Sequence, residues 1–139
     1  MNFHVKVVLA VAVLVAAALA MIFFLRSSDE EAIEKLLQDG AAAASRQDAE
    51  AVIALLSKSF RSKEGDYAWA VERIRGVLKQ PVGQLSVSPG GITVEGDEAS
   101  ARVGLRASAG PREMGRTSFD FRFRRENGVW KVISAEEIR

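Results

Sequence analysis

An unbroken run of nineteen apolar residues, Val7 to Leu25, opens this chain and constrains it more than any other feature. As a helix rising ~1.5 Å per residue it would span roughly 30 Å, the thickness of a bilayer's hydrocarbon core. It has no polar face, which sets it apart from the amphipathic helices that line a globular core. Lys6 stands on one side and Arg26 on the other, followed at once by Asp29, Glu30 and Glu31. The short tail favours an N-terminus left in the cytosol and a domain outside. Ala16-Ala17-Ala18 and Ala18-Leu19-Ala20 also offer small-x-small signals for cleavage of a secretory leader. Cleavage at either would leave Met21 to Leu25 as an apolar new terminus. The expectation is therefore an uncleaved anchor in residues 1–26, with the lipid bilayer as partner of residues 7–25 and a soluble domain over 27–139. A cleaved leader and a buried core helix are the other readings.

The soluble part has the length of one compact domain. The whole chain carries a net charge of +1, unevenly spread. Residues 27–98 hold 13 acids and 8 bases, net −5, and residues 99–131 hold 8 bases and 3 acids, net +5. There is no cysteine, so disulfides, thiolate metal sites, a thiol nucleophile and a lipidated cysteine are excluded. The single histidine, His4, lies in the tail, which excludes a Ser-His-Asp triad or a His-ligated metal in the domain. Asp29-Glu30-Glu31 reads as a solvated helix start, and no metal or cofactor is expected.

Ser28-x-x-Glu31 fits a capping box opening a helix over about 29–45, with Ile33, Leu36, Leu37, Ala41 and Ala44 at helical spacing. Arg46-Gln47-Asp48 breaks it, and Asp48 is placed to cap a second helix through Leu56. Residues 61–65 form a loop. A third helix starts near Asp66, with Tyr67, Ala70, Val71, Ile74, Val77 and Leu78 on one face and Gln80-Pro81 as its stop. Trp69 points away from that stripe. It either packs under the 61–66 loop or marks a partner or headgroup contact.

The period then changes to two. Strands are expected over 82–87, 92–94, 99–107, 119–123 and 129–135. Turns are expected at Ser88-Pro89-Gly90-Gly91, Gly96-Asp97 and Asn127-Gly128, with a loop from Gly110-Pro111. Helices followed by strands argue an α+β fold: a transmembrane helix, then three helices on one face of an antiparallel sheet of about four strands. Val103, Leu105, Phe119, Phe121, Phe123, Trp130 and Val132 should face the helices. Arg102, Arg106, Arg122, Arg124 and Lys131 should face away, with Asp120 among them. That basic face reads as a solvated surface with cross-strand Asp120–Arg pairs, as a protein interface, or as a contact for anionic lipid or another polyanion. No aromatics interleave with its arginines, so nucleic acid is not expected.

Three segments in this order resemble the NTF2-like superfamily, the cone-shaped fold of ketosteroid isomerase and SnoaL-type cyclases. They are Arg46-Gln47-Asp48-Ala49-Glu50-Ala51-Val52 after the first helix, Gly96-Asp97-Glu98-Ala99-Ser100-Ala101-Arg102-Val103, and the closing hairpin Phe123 to Val132 with Asn127-Gly128-Val129-Trp130-Lys131. The resemblance covers about residues 29–138. It implies a pocket at the wide end of the cone, for which Phe60, Tyr67, Phe121 and Trp130 are the candidate lining. It also implies a dimer through the open sheet face, with Arg102, Arg106, Arg122 and Arg124 as candidate interface residues; Trp69, on the third helix, is a separate candidate interface contact. Catalytic members use a carboxylate in an apolar pocket, often with Tyr or His. No counterpart is found here, so no catalytic residue is assigned and enzymatic activity is not expected. Tyr67 could supply a pocket hydroxyl, or be a core tyrosine whose tip meets water.

The layout of short tail, span and domain also looks like the inner-membrane assembly subunit of type IV secretion systems. The function expected is a non-enzymatic protein-binding or assembly module, periplasmic or extracytoplasmic, on a bacterial-type inner membrane. It would act as a homodimer or with a membrane-complex partner. The alternative is an anchored binder of a small apolar ligand, or an isomerase-like enzyme using the cone pocket.

Overall fold

The computed structural model describes residues 3–138; within the first helix it describes side chains over 8–18 and from residue 28 onward. That helix, α1 (Phe3–Ser45), runs unbroken for 43 residues, about 65 Å at ~1.5 Å per residue. The apolar run and the domain's first helix are thus one element. The capping box expected at Ser28 is not formed, because Ser28 sits inside α1. A cap motif marks a helix start only where the preceding residues leave the helix, and here residues 21–27 contain no Gly or Pro to end it. The side chains described in the run, residues 8–18, are all exposed. Among the described residues no helix is long and apolar enough to cross a membrane. The rest of the expected span, residues 7 and 19–25, lies outside the described side chains.

At its other end α1 stops where the sequence predicts. Gln47 takes a left-handed φ of 60°. Gln47 N donates to Ala44 O at 3.0 Å and Asp48 N to Ala43 O at 2.9 Å, closing the last turn. Asp48 then caps α2 (Ala49–Ile53) by accepting from Ala51 N, and Asp66 caps α3 (Tyr67–Val77) by accepting from Trp69 N. The Asp48 cap is the one expected from sequence and α3 starts where expected, but α2 ends at Ile53, short of the expected Leu56.

Four strands follow as an antiparallel meander in the order β1 (Gln84–Glu95), β2 (Glu98–Ala109), β3 (Arg112–Glu126) and β4 (Val129–Glu137). Two expectations are corrected. Ser88-Pro89-Gly90-Gly91 is no turn: β1 continues through it with a register shift between Pro89 and Ile92. Proline removes a ladder donor, which β1 tolerates as the free edge of the sheet. Residues 112–118 are strand rather than loop, because Gly110-Pro111 forms a two-residue turn with Gly110 at φ 61°. Asn127 and Gly128 both have positive φ, at 52° and 79°, as the expected hairpin requires.

The opposite edge, β4, is covered. Ser57 N donates to Val132 O at 2.9 Å, Val132 N to Leu55 O at 3.0 Å and Arg61 N to Ile133 O at 3.0 Å. The chain after α2 therefore runs beside β4 in parallel. The core lies between α1 and the inner face of the sheet. Ile33, Val103 and Phe123 are fully buried at its centre, with Leu37, Phe60 and Val132 around them. The alternation read from the sequence is the one observed: β2 shows Ala99, Ala101 and Val103 buried while Glu98, Ser100 and Arg102 are exposed.

Candidate functional site

Three places on this scaffold concentrate chemistry or shape. The first is a cavity of about 190 Å³ between α1, α2 and the sheet. Leu36, Ala41, Leu55, Leu85, Leu105 and Phe121 are among its lining residues, and no residue around it carries a polar side chain. Its space exists because Gly40, Ala41 and Ala44 present little side chain from α1. Such a surface can hold an apolar group, but it offers no proton donor, acceptor or charge for a reaction.

Of the four residues assigned from sequence to a pocket, Phe121 lines this cavity. Phe60 and Trp130 are buried in the core cluster, at 5% and 6% exposure. Tyr67 packs against that cluster and borders a separate groove beside Ser57, Lys58, Glu126 and Lys131. In that groove the buried Ser57 hydroxyl donates to Glu126 Oε2 at 2.9 Å, and Lys131 Nζ donates to Ala54 O at 2.7 Å. The structure does not bring the four residues together around one cavity.

The second place is the junction between the helix and the sheet. Arg125 Nη1 donates to Asp29 Oδ1 at 2.8 Å and Arg125 Nε to Asp97 Oδ1 at 3.0 Å. Its Nη2 donates to Gly96 O at 3.1 Å. The guanidinium lies 4.9 Å from the centre of the Trp130 ring, and Trp130 Nε1 donates to the same Asp29 oxygen at 3.4 Å. Asp29 is therefore a structural anchor point with a side chain 17% exposed, rather than a solvated helix start. Sequence reasoning missed Arg125. Carrying the Phe119-Phe121-Phe123 alternation one step further places residue 125 on the helix-facing side, opposite Trp130.

The third place is the outer sheet face. Arg102 meets Asp120 across strands at 3.2 Å and Arg124 meets Glu98 at 3.6 Å. Arg116 is satisfied by Glu113 at 2.9 Å. Among the described residues Arg106 and Arg122 have no carboxylate partner. Trp69 lies elsewhere, over the 61–66 loop: a Cβ added to Gly65 would stand 2.5 Å from its ring. Nearby, Arg75 links α3 to α2 through Glu50 at 2.9 Å, and that hydrogen bond raises the Arg75 pKa further above its ordinary value. Among the described residues no group of three or more His, Cys, Asp or Glu is placed to hold a metal ion.

No protein-family model matches the chain, and no curated protein matches it. Solved structures do. An NTF2-like protein of unknown function from Shewanella oneidensis superposes with a TM-score of 0.68 at 12% identity, covering 78% of this chain and 98% of that one. An NTF2-like protein of unknown function from Pseudomonas putida gives 0.66 at 18% identity, covering 80% and 86%. A Mycobacterium tuberculosis protein of unknown function gives 0.66 at 13% identity, covering 84% and 74%. At such identities the likeness carries the architecture and no activity. The domain has the NTF2-like fold, a curved four-stranded antiparallel sheet with helices on one face.

Proposed function

We propose that this chain is a membrane-anchored NTF2-like module that binds a protein partner at a bilayer surface and performs no chemistry itself. One observation carries the reading: the helix that begins in the apolar run is the domain's own first helix, and Asp29 fastens it to the sheet three residues past Arg26. Val8, Leu9, Val11, Val13, Leu14 and Val15 each leave more than half of their surface exposed. A helix apolar all round needs a lipid or protein environment. Residues 7–25 would supply the span on a bacterial-type inner membrane, with the domain on its outer side. The lack of polar side chains around the cavity supports a binding role over a catalytic one.

Alkaline carbonate extraction of membranes from cells making the full chain tests the reading. Retention in the pellet, with intact mass showing Met1 to Arg139, is the expected result. Release into the supernatant overturns the anchor, and a mass lacking residues 1–18 or 1–20 identifies a cleaved leader.

The open apolar cavity supports a second reading, in which the anchored domain holds a small apolar ligand. Its lining would retain such a ligand without transforming it.

A further inference from the structure

On the outer sheet face two rungs of the ladder carry unbalanced positive charge. Arg106 stands directly opposite Arg116, and Arg122 stands opposite Ser100 on one side and Ser134 on the other. Like charges facing each other across a strand pair destabilise the sheet. Glu113 offsets Arg116, and Lys131, opposite Arg124, donates to Ala54 O, so Arg106 and Arg122 are left on this face with neither a carboxylate nor a carbonyl partner among the described residues. Between them lie the small Gly104–Ser118 rung and the paired Arg102–Asp120 rung, whose charges already balance. A shallow groove of about 170 Å³ seats Arg122 beside Thr93 and Ser100, with Glu95 and Glu98 also lining it. Arginine in such a setting suits bidentate capture of carboxylates.

We propose that this face docks an acidic protein segment belonging to a different chain. The choice of occupant rests on the anchored reading above, through geometry. Ser100 to Arg106 spans about 20 Å along β2 at ~3.3 Å per residue. With α1 anchored and upright, the Asp29 junction would put the Gly96-Asp97 turn at the near end of the domain and Arg106 up to about 20 Å farther from the bilayer than Arg122. One lipid surface cannot reach both. A second copy fits poorly too. Two copies anchored in one membrane are related by an axis along its normal, so each rung meets the same rung of its twin. The Arg106–Arg116 rung would then face another such rung, four guanidiniums against two Glu113 carboxylates. An extended acidic segment running along the strands meets Arg106 and Arg122 together.

The probe is a fluorescent peptide about ten residues long with Glu at alternate positions, enough to span about 30 Å when extended. Its anisotropy is read with the full chain in neutral detergent micelles. Saturable binding is expected, weakened about tenfold or more by Arg106→Glu with Arg122→Glu, weakened by salt, and unchanged by Lys79→Glu off the face. No binding, or binding indifferent to the double substitution in a variant with normal circular dichroism, overturns the proposal. Equal binding of a heparin oligosaccharide, with the same arginine dependence, makes the face a general polyanion site and overturns it as well. Because the chain lacks cysteine, Ser118→Cys reports the remaining occupant. Efficient crosslinking into homodimers in membranes assigns the face to a second copy. Peptide binding in micelles is read independently of carbonate extraction, so a failed anchor and a failed docking face give different results.

Discussion

Asp29 Oδ1 lies 2.8 Å from Arg125 Nη1, joining residues 96 apart in sequence, and the same oxygen accepts from Trp130 Nε1. One carboxylate on α1 thus holds the end of β3 and the start of β4. Arg125 passes the restraint on through Asp97 and Gly96 to the turn between β1 and β2. Helix and both hairpin tips at this end are thus tied together through one guanidinium and one carboxylate.

Removing that carboxylate should cost measurable stability. Asp29→Ala leaves Arg125, 30% exposed at its side chain, with Asp97 as its only charged partner among the described residues. Exposed pairs contribute about 0–1 kcal/mol and fully buried ones lose about 3–5 when broken, so this half-buried site should lose about 1–3 kcal/mol. Urea denaturation monitored by tryptophan fluorescence reads it as a lower midpoint at unchanged slope. A change below about 0.5 kcal/mol would show that the junction is held by packing rather than by the ion pair.

The unbroken α1 makes a second claim. If a helix started at Ser28, the next amides would lack intrahelical acceptors and exchange quickly with solvent. In the continuous helix the amides of Ser28 to Glu31 donate to carbonyls one turn back. Hydrogen exchange on the micelle-bound chain should find them protected, and Ser28→Pro should abolish that protection through loss of the donor and a clash one turn back. Rapid exchange in the unmodified chain would restore the two-helix arrangement expected from the capping motif.

These two sites show what the sequence could and could not disclose. Period-two alternation assigned Phe123 inward and Arg122 outward correctly, because one face of this sheet is buried and a slip would reverse every residue. The same rule reached Arg125, but a charged residue in an alternating apolar row reads as the row's end until its partner is known. That partner lies 96 residues away, beyond any local signal. Ser28-x-x-Glu31 failed for a related reason: a cap motif describes one turn, while the apolar residues before it continue the helix. Pro89-Gly90-Gly91 carried turn chemistry, and its role was set by position instead, on the edge strand β1. The cavity was least legible, since it is made of side chains that are missing. Gly40, Ala41 and Ala44 form it only once Leu55 and Leu105 face them.

Trp69 and Gly65 yield a third prediction. A methyl group at position 65 would lie 2.5, 2.6 and 2.9 Å from three atoms of Trp69, closer than carbon atoms approach without rearrangement. Gly65→Ala should therefore destabilise the domain by about 1–3 kcal/mol. Gly65→Ala combined with Trp69→Ala should cost less than the two single changes added together. Additive losses would mean that Trp69 swings freely over the loop, leaving its ring available to a partner.

The cavity supplies the last. At about 190 Å³ with no polar side chain in its lining, it should stay free of ordered water and admit a small apolar probe. Xenon or benzene added to isotopically labelled chain should shift the methyl resonances of Leu36, Leu55, Leu85 and Leu105, and leave those of Val129, exposed on the far hairpin, unmoved. Ala44→Leu projects new methyl groups into the space from α1. Filling a void recovers dispersion contacts, while overfilling strains its walls at about 1–3 kcal/mol. The two outcomes are separable: lost probe shifts with equal or higher stability describe a true internal void, and lost shifts with lower stability describe a gap already closed by side-chain motion. If the probe shifts survive Ala44→Leu unchanged, the apolar site lies elsewhere and the ligand-binding alternative loses its structural support.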